Sequence, residues 1–271
     1  MRVWVVVMAA VIAALGAAVA GAYPTFDGPS GLVTLPTAEV VPSGAVDLAV
    51  DYQKTTISGS ALGGALDLDA ADSDITLIPI RAAFGVGEGL EIWGSYDPIK
   101  VEGSEDAKLW NAGLKWAFMR ESGGDDFSLA IGGSMGRMES DIDDVDITRA
   151  FLVASKVIKM KQSAGQPLSA MAHLGVMWAK LGEPTDNTMT KPFVGIEFFG
   201  GGGASLALEY RFEDDDLDVN APFSAALRYP IGGAGSPLWI QVGATNAATG
   251  IGNNDNDLFF GLGYRFNVAG R

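Results

Sequence analysis

Alternation with a period of two runs through most of the chain, in segments of similar length. The last of them, DLFFGLGYRF at 257–266, shows the form. Leu258, Phe260, Leu262, Tyr264 and Phe266 take every second place, with Phe259, Gly261, Gly263 and Arg265 between them. Period two is strand spacing, so one face of this strand is wholly large and apolar. The other face is mainly glycine, where a soluble strand usually carries Thr, Lys or Glu. A sheet of such strands has an oily side that must meet something other than water, and an opposite side with little room.

Eleven more segments follow the same design: AVDLAVDYQ (45–53), ITLIPIRAAFGV (75–86), LEIWGSY (90–96), KLWNAGLKWAF (108–118), FSLAIGGSMG (127–136), VDITRAFLVASKVI (145–158), LSAMAHLGVMWA (168–179), KPFVGIEFF (191–199), SLALEYRF (205–212), PFSAALRY (222–229) and LWIQVGA (238–244). Their number is even, and most match the ~9–11 residues that cross an outer membrane as a tilted strand. Long connections (57–74, 97–107, 138–146, 181–190, 213–221 and 245–257) alternate with short ones (87–89, 121–125, 163–167, 200–203 and 232–236). That is the rhythm of an up-and-down meander with one short-turn end and one long-loop end. The six long connections carry 22 of the 33 Asp and Glu residues and a single basic residue, Lys100. Charge is therefore kept off the strands, where a Lys or Arg at bilayer depth costs about 2–4 kcal/mol.

A secreted soluble β-sandwich also alternates. Against it stand the Gly, Ala and Ser of the non-apolar face, and aromatics near segment ends (Tyr52, Trp110, Trp116, Trp178, Phe212, Tyr229, Trp239 and Phe266) that suit two interfacial girdles. The fold expected over 45–271 is all-β, a transmembrane up-and-down antiparallel β-barrel of about twelve strands. Unpaired backbone groups in hydrocarbon cost several kcal/mol each, so the sheet must close.

The first residues, MRVWVVVMAAVIAALGAAVAGA, set Arg2 before an apolar run from Val3 to Ala20 and end in small-x-small sites. They read as a signal peptide over 1–22, removed after Ala22, rather than as a retained membrane helix. Residues 23–44 hold four prolines and three glycines and no strand pattern. They form either an ordered lead-in outside the barrel or a short plug within it. The absence of cysteine excludes disulfides, thiolate metal sites and a lipidated anchor. A net charge of −15 argues against nucleic acid as a partner.

In the last strand Gly261, Tyr264 and Phe266 fit the C-terminal signal shared by outer-membrane barrels, polar-x-Gly-x-x-aromatic-x-aromatic, with Phe259 standing at the polar position. That resemblance implies the barrel-assembly machinery and outer-membrane lipid as partners. Near the start, Gly28, Gly31, Leu32, Pro36, Ala38 and Gly44 lie in GPSGLVTLPTAEVVPSGAVDLAVDY. This stretch resembles the beginning of the YjbH-type outer-membrane family, which implies a role related to exopolysaccharide.

Polar residues on the small-residue face are the candidates for a lumen lining: Asp47, Asp51, Arg81, Glu91, Asn111, Lys115, Lys156, His173, Glu197, Glu209, Arg211, Arg228, Gln241 and Arg265. They suit either an internal network tying strands together or rings of charge along a narrow solute path. His173, the one histidine, would serve a barrel hydrolase only with a partner, and Ser169 lies too far along the strand to bond it. Asp141, Asp143, Asp144, Asp214, Asp215 and Asp216 are weak candidates for divalent cations at the loops, without the pattern of a defined site. No cofactor motif is present. GVGEG at 85–89 lacks the Lys-Ser/Thr pair and following helix of a phosphate loop. Three functions stay open: a narrow solute channel or export accessory, a non-conducting structural or surface-binding barrel, and a barrel enzyme.

Overall fold

The computed structural model describes residues 23–57, 73–102, 106–140, 144–159, 169–182, 188–212, 221–248 and 251–268. The proposed signal peptide lies outside them. Twelve antiparallel strands form one sheet: β1 (Ala45–Ile57), β2 (Ser73–Leu77 and Ile80–Gly87, interrupted at 78–79), β3 (Leu90–Val101), β4 (Ala107–Met119), β5 (Ser128–Glu139), β6 (Val145–Lys159), β7 (Ser169–Leu181), β8 (Thr188–Phe199), β9 (Ser205–Arg211), β10 (Phe223–Pro230), β11 (Leu238–Ala248) and β12 (Ile251–Asn267). Each pairs with its neighbours in sequence, and β12 returns to β1, where Gly261 faces Asp51 and Tyr264 faces Leu48. The sheet thus has no edge, as the sequence pattern predicts.

The break in β2 falls at Pro79, which has no N–H to donate; its carbonyl still accepts from the Asp51 amide at 3.0 Å. At the short-turn end, glycines with positive φ make the reversals, among them Gly89 (79°) and Gly232 (102°). At the opposite end the strands run further than their apolar alternation. Asp97–Val101 and 251–257 are strand, although the sequence reading gave them to connections. Both stretches extend the ladders: Ile99 pairs with Ala107, and Ile251 with Ala248.

The alternation sorts as expected. Leu48, Val50, Ile80, Ile92, Leu114, Ile131, Leu174, Val242, Phe260 and Leu262 point outward. The glycine-rich face points in, and its glycines are not empty space. Trp93 is paired with Gly113, Phe151 with Gly132, Phe193 with Gly175, Phe259 with Gly243 and Trp239 with Gly263. In each pair the inward aromatic ring lies over the glycine of the neighbouring strand. Trp239 therefore belongs to the lumen and not to a girdle. A Cβ on Gly113 would come within 2.7 Å of Trp93 Cε2. Gly113→Val is expected to lower barrel stability by about 1–3 kcal/mol, read as the shift of a urea unfolding midpoint in lipid vesicles.

Candidate functional site

Residues 23–44 lie inside the barrel. Both ends of the segment sit at the short-turn end: the Gly44 amide donates to the Gly85 carbonyl, and the Tyr23 ring stacks edge-on against Trp239 at 5.0 Å. Between them the chain folds on itself. Tyr23–Pro24 pairs with Ser30–Gly31, and the Leu32 amide donates to the Leu35 carbonyl at 2.9 Å. Its apolar side chains finish the interior. Leu35 and Ala38 pack with Ala117, Ala130, Phe151, Val153 and Phe193 on one wall. Phe26 and Val33 meet Ala226 and Phe259 on another, the two rings 4.9 Å apart. Phe259 thus takes the usual polar position of the C-terminal signal because the insert needs an apolar contact there.

The glycines of the insert have local reasons. A side chain on Gly31 would strike the Leu35 carbonyl and Pro36 Cα. Gly28 (φ 111°) and Gly44 (φ 77°) adopt backbone shapes that other residues avoid. Leu32 rests on Gly195 of β8.

Charged side chains of the wall hold the insert by its main chain. Glu209 of β9 accepts from the amides of Val33 (2.9 Å), Thr34 (2.9 Å) and Leu35 (3.2 Å) and from the Thr34 hydroxyl. Glu91 of β3 accepts from the amides of Ser30 (2.8 Å) and Val41 (2.9 Å). Lys115 of β4 donates to the carbonyls of Ser30 (2.7 Å) and Glu39 (2.6 Å) and lies 3.7 Å from Glu91. Arg228 of β10 donates to the carbonyls of Gly31 and Leu32, and Arg81 of β2 to that of Pro24. Arg228 also lies 4.8 Å over the Tyr23 ring, and Arg81 5.2 Å over Phe26. Burial raises the Glu39 carboxyl above the usual range, against the pull of Ser128 and Lys115. The contribution of that residue to docking is therefore greatest in acid and falls as pH rises.

Other wall residues brace one another. Arg81 pairs with Asp51, Gln241 bonds Asp51 and Arg228, and Arg228 lies 3.5 Å from Glu197. Gly261 stands between Asp51 and Gln241 in the ladder and leaves the gap their contact crosses. Arg265 clasps Asp47 at the short-turn end. Asn111 donates to Ser95, and Arg211 is buried on the same face.

One lining assignment fails. Lys156 is exposed on the outer face and reaches the Asp126 carbonyl. The inward residues of β6 include Val145, Ile147, Arg149, Phe151, Val153 and Ser155. Both faces of β6 are similarly apolar because the inner one packs on the insert, so hydropathy did not choose between them. Lys156, fourth from the short-turn end of β6, can reach water there from the outer face. Arg149 pairs with Asp27 of the insert at 2.7 Å. Arg149→Ala is expected to cost about 1–3 kcal/mol by leaving the half-buried Asp27 carboxylate without its partner. Lys156→Ala should change stability by less than about 0.5 kcal/mol. Paired urea titrations compare them.

His173 is 3% exposed, and the register sets it opposite Ser155. The Ala38 amide donates to Ser155 Oγ (2.9 Å), which lies 2.8 Å from His173 Nδ1. The missing partner of His173 is thus this cross-strand serine, which pairing register alone reveals. Of the loop aspartates, Asp144 is bound to Arg137 at 2.6 Å; Asp141, Asp143, Asp214, Asp215 and Asp216 lie outside the described residues. Among the described residues no cluster could hold a metal ion.

Toward the long-loop end the lumen is filled a second time, by Ile75, Leu77, Ile99, Leu109 and Ile147. Between this cluster and the insert is a cavity of about 20 Å³ lined by Phe26, Asp27, Thr34, Leu77, Pro79, Asp97, Leu109 and Ala247. It has room for about one water.

No family model matches the chain, and neither does any curated protein. Among solved structures it is similar to the beta domain of the Bordetella autotransporter BrkA, at 12% identity over 83% of this chain and 100% of that one, with a TM-score of 0.46. It is similar to an outer membrane channel from Pseudomonas putida F1 (14%; 84% and 98%; 0.43) and to Omp33 from Acinetobacter baumannii (8%; 81% and 97%; 0.44). What the chain itself shows, a sheet closed without an edge and an apolar belt around its outside, is the membrane-spanning form of a β-barrel.

Proposed function

We propose that the protein is an integral outer-membrane barrel that is closed at rest by its own residues 23–44, and that solute passage or export begins with release of this plug. The short turns and both ends of the plug face the periplasm, and the acidic connections face the medium. The observation that carries the reading is the use of two buried carboxylates, Glu91 and Glu209, to hold five main-chain amides of the insert. A wall built only to brace strands would not also turn these carboxylates, one of which (Glu91) has the cross-strand partner Lys115 at 3.7 Å, onto the amides of the insert.

The apolar cluster at the long-loop end favours a second reading, a permanently closed structural or surface-binding barrel. Enzymatic work at His173 finds little support, because Ser155 and His173 are both covered by the insert. The resemblance in the insert keeps an exopolysaccharide-related role as one form of the export reading; a deletion strain with unchanged exopolysaccharide would remove it.

Planar-bilayer recording tests closure. The wild-type protein should stay shut in buffer and open reversibly in urea too dilute to unfold the strands. Steady conductance in buffer would contradict a plugged resting state. Silence at every urea concentration below barrel unfolding would favour the permanently closed form.

A further inference from the structure

The wall contacts on the insert have a chemical pattern of their own. Two acceptor-only groups, Glu91 and Glu209, take the amides of Ser30, Val33, Thr34, Leu35 and Val41. Three donor-only groups, Arg81, Lys115 and Arg228, serve the carbonyls of Pro24, Ser30, Gly31, Leu32 and Glu39. Each of these wall groups is thus donor-only or acceptor-only, and together they meet ten main-chain N–H and C=O groups of one folded-back segment. Beside these groups, the bare Gly195 receives a leucine side chain.

We propose that the lumen wall is a binding site for the main chain of a folded-back peptide, with residues 24–41 as its built-in ligand. A peptide of the same backbone pattern from another molecule takes this site when the insert leaves. The inference rests on the insert being releasable, and it names the chemistry of what the vacated lumen binds.

Gly31→Val loosens the insert without touching the wall, because the atoms its side chain would strike, in Leu35, Thr25 and Pro36, all belong to the insert. Leu32→Asp serves the same end by another contact if Gly31→Val does not assemble. The probe is a fluorescent synthetic peptide of residues 28–41, added to the full-length variant in lipid nanodiscs and in planar bilayers. Binding should raise its anisotropy and block the current. N-methylation at the Thr34 amide of the probe, or Glu209→Gln in the wall, should each weaken binding about tenfold or more.

Equal binding of the methylated and unmethylated probes overturns the proposal. So does failure of the probe to bind a variant that conducts, although plug release then stands. A variant that binds the probe through its Thr34 amide but never conducts supports the peptide site and refutes release as the route to an open path.

Discussion

Glu209→Ala should convert a closed barrel into one that conducts, with open probability in planar bilayers rising at least tenfold. Glu209 is the only wall group among the described residues that accepts from three successive insert amides, those of Val33, Thr34 and Leu35. Without it these N–H groups are buried without partners, at about 1–3 kcal/mol each. The strands lose nothing comparable, since the main-chain pairing of Glu209 with Gly195 and Ser224 does not depend on its side chain. The barrel should therefore keep its folded mobility on unheated gels while the insert becomes open to protease. Unchanged conductance together with a still-protected insert would show that Glu209 does not hold the plug.

Leu262→Arg carries the second large effect. Leu262 lies in β12 between Val50 and Ile240, with its side chain on the outer face. A guanidinium there faces acyl chains and should cost about 2–4 kcal/mol, measured by urea titration of folding into lipid vesicles. The cost should fall toward either rim, so Phe266→Arg, four residues nearer the chain end, should cost clearly less. Equal costs at both places would mean that the outer face is not in a membrane.

The barrel was legible in the sequence because lipid imposes one rule on every strand, apolar residues at alternate places, and the strands from 45–53 to 258–266 follow it. The lumen was harder to read. Glu91, Lys115, Glu209 and Arg228 were recognisable as inward because each alternates with large apolar neighbours that face outward. Their task was not, because they bind main-chain atoms, which every residue type possesses. In sequence terms residues 23–44 thus fit a lead-in and a plug equally well. Lys156 and Trp239 were misplaced for a related reason. An inner wall that packs on an apolar insert takes Phe151, Val153 and Trp239 itself, so hydropathy no longer separates the two faces there. The aromatic–glycine pairs were invisible for want of register: Trp93 and Gly113 are twenty residues apart and meet only through the β3–β4 ladder.

Nitroxide accessibility tests the central claim most directly, and the lack of native cysteine makes every label site-specific. Labels at 258, 260, 262 and 264 should relax strongly with lipid-soluble oxygen and weakly with a water-soluble nickel chelate, while a label replacing Thr34 should respond to neither. Nickel-chelate relaxation equal to that of oxygen at 260 and 262, or free access of the chelate to position 34, would contradict a plugged barrel set in lipid.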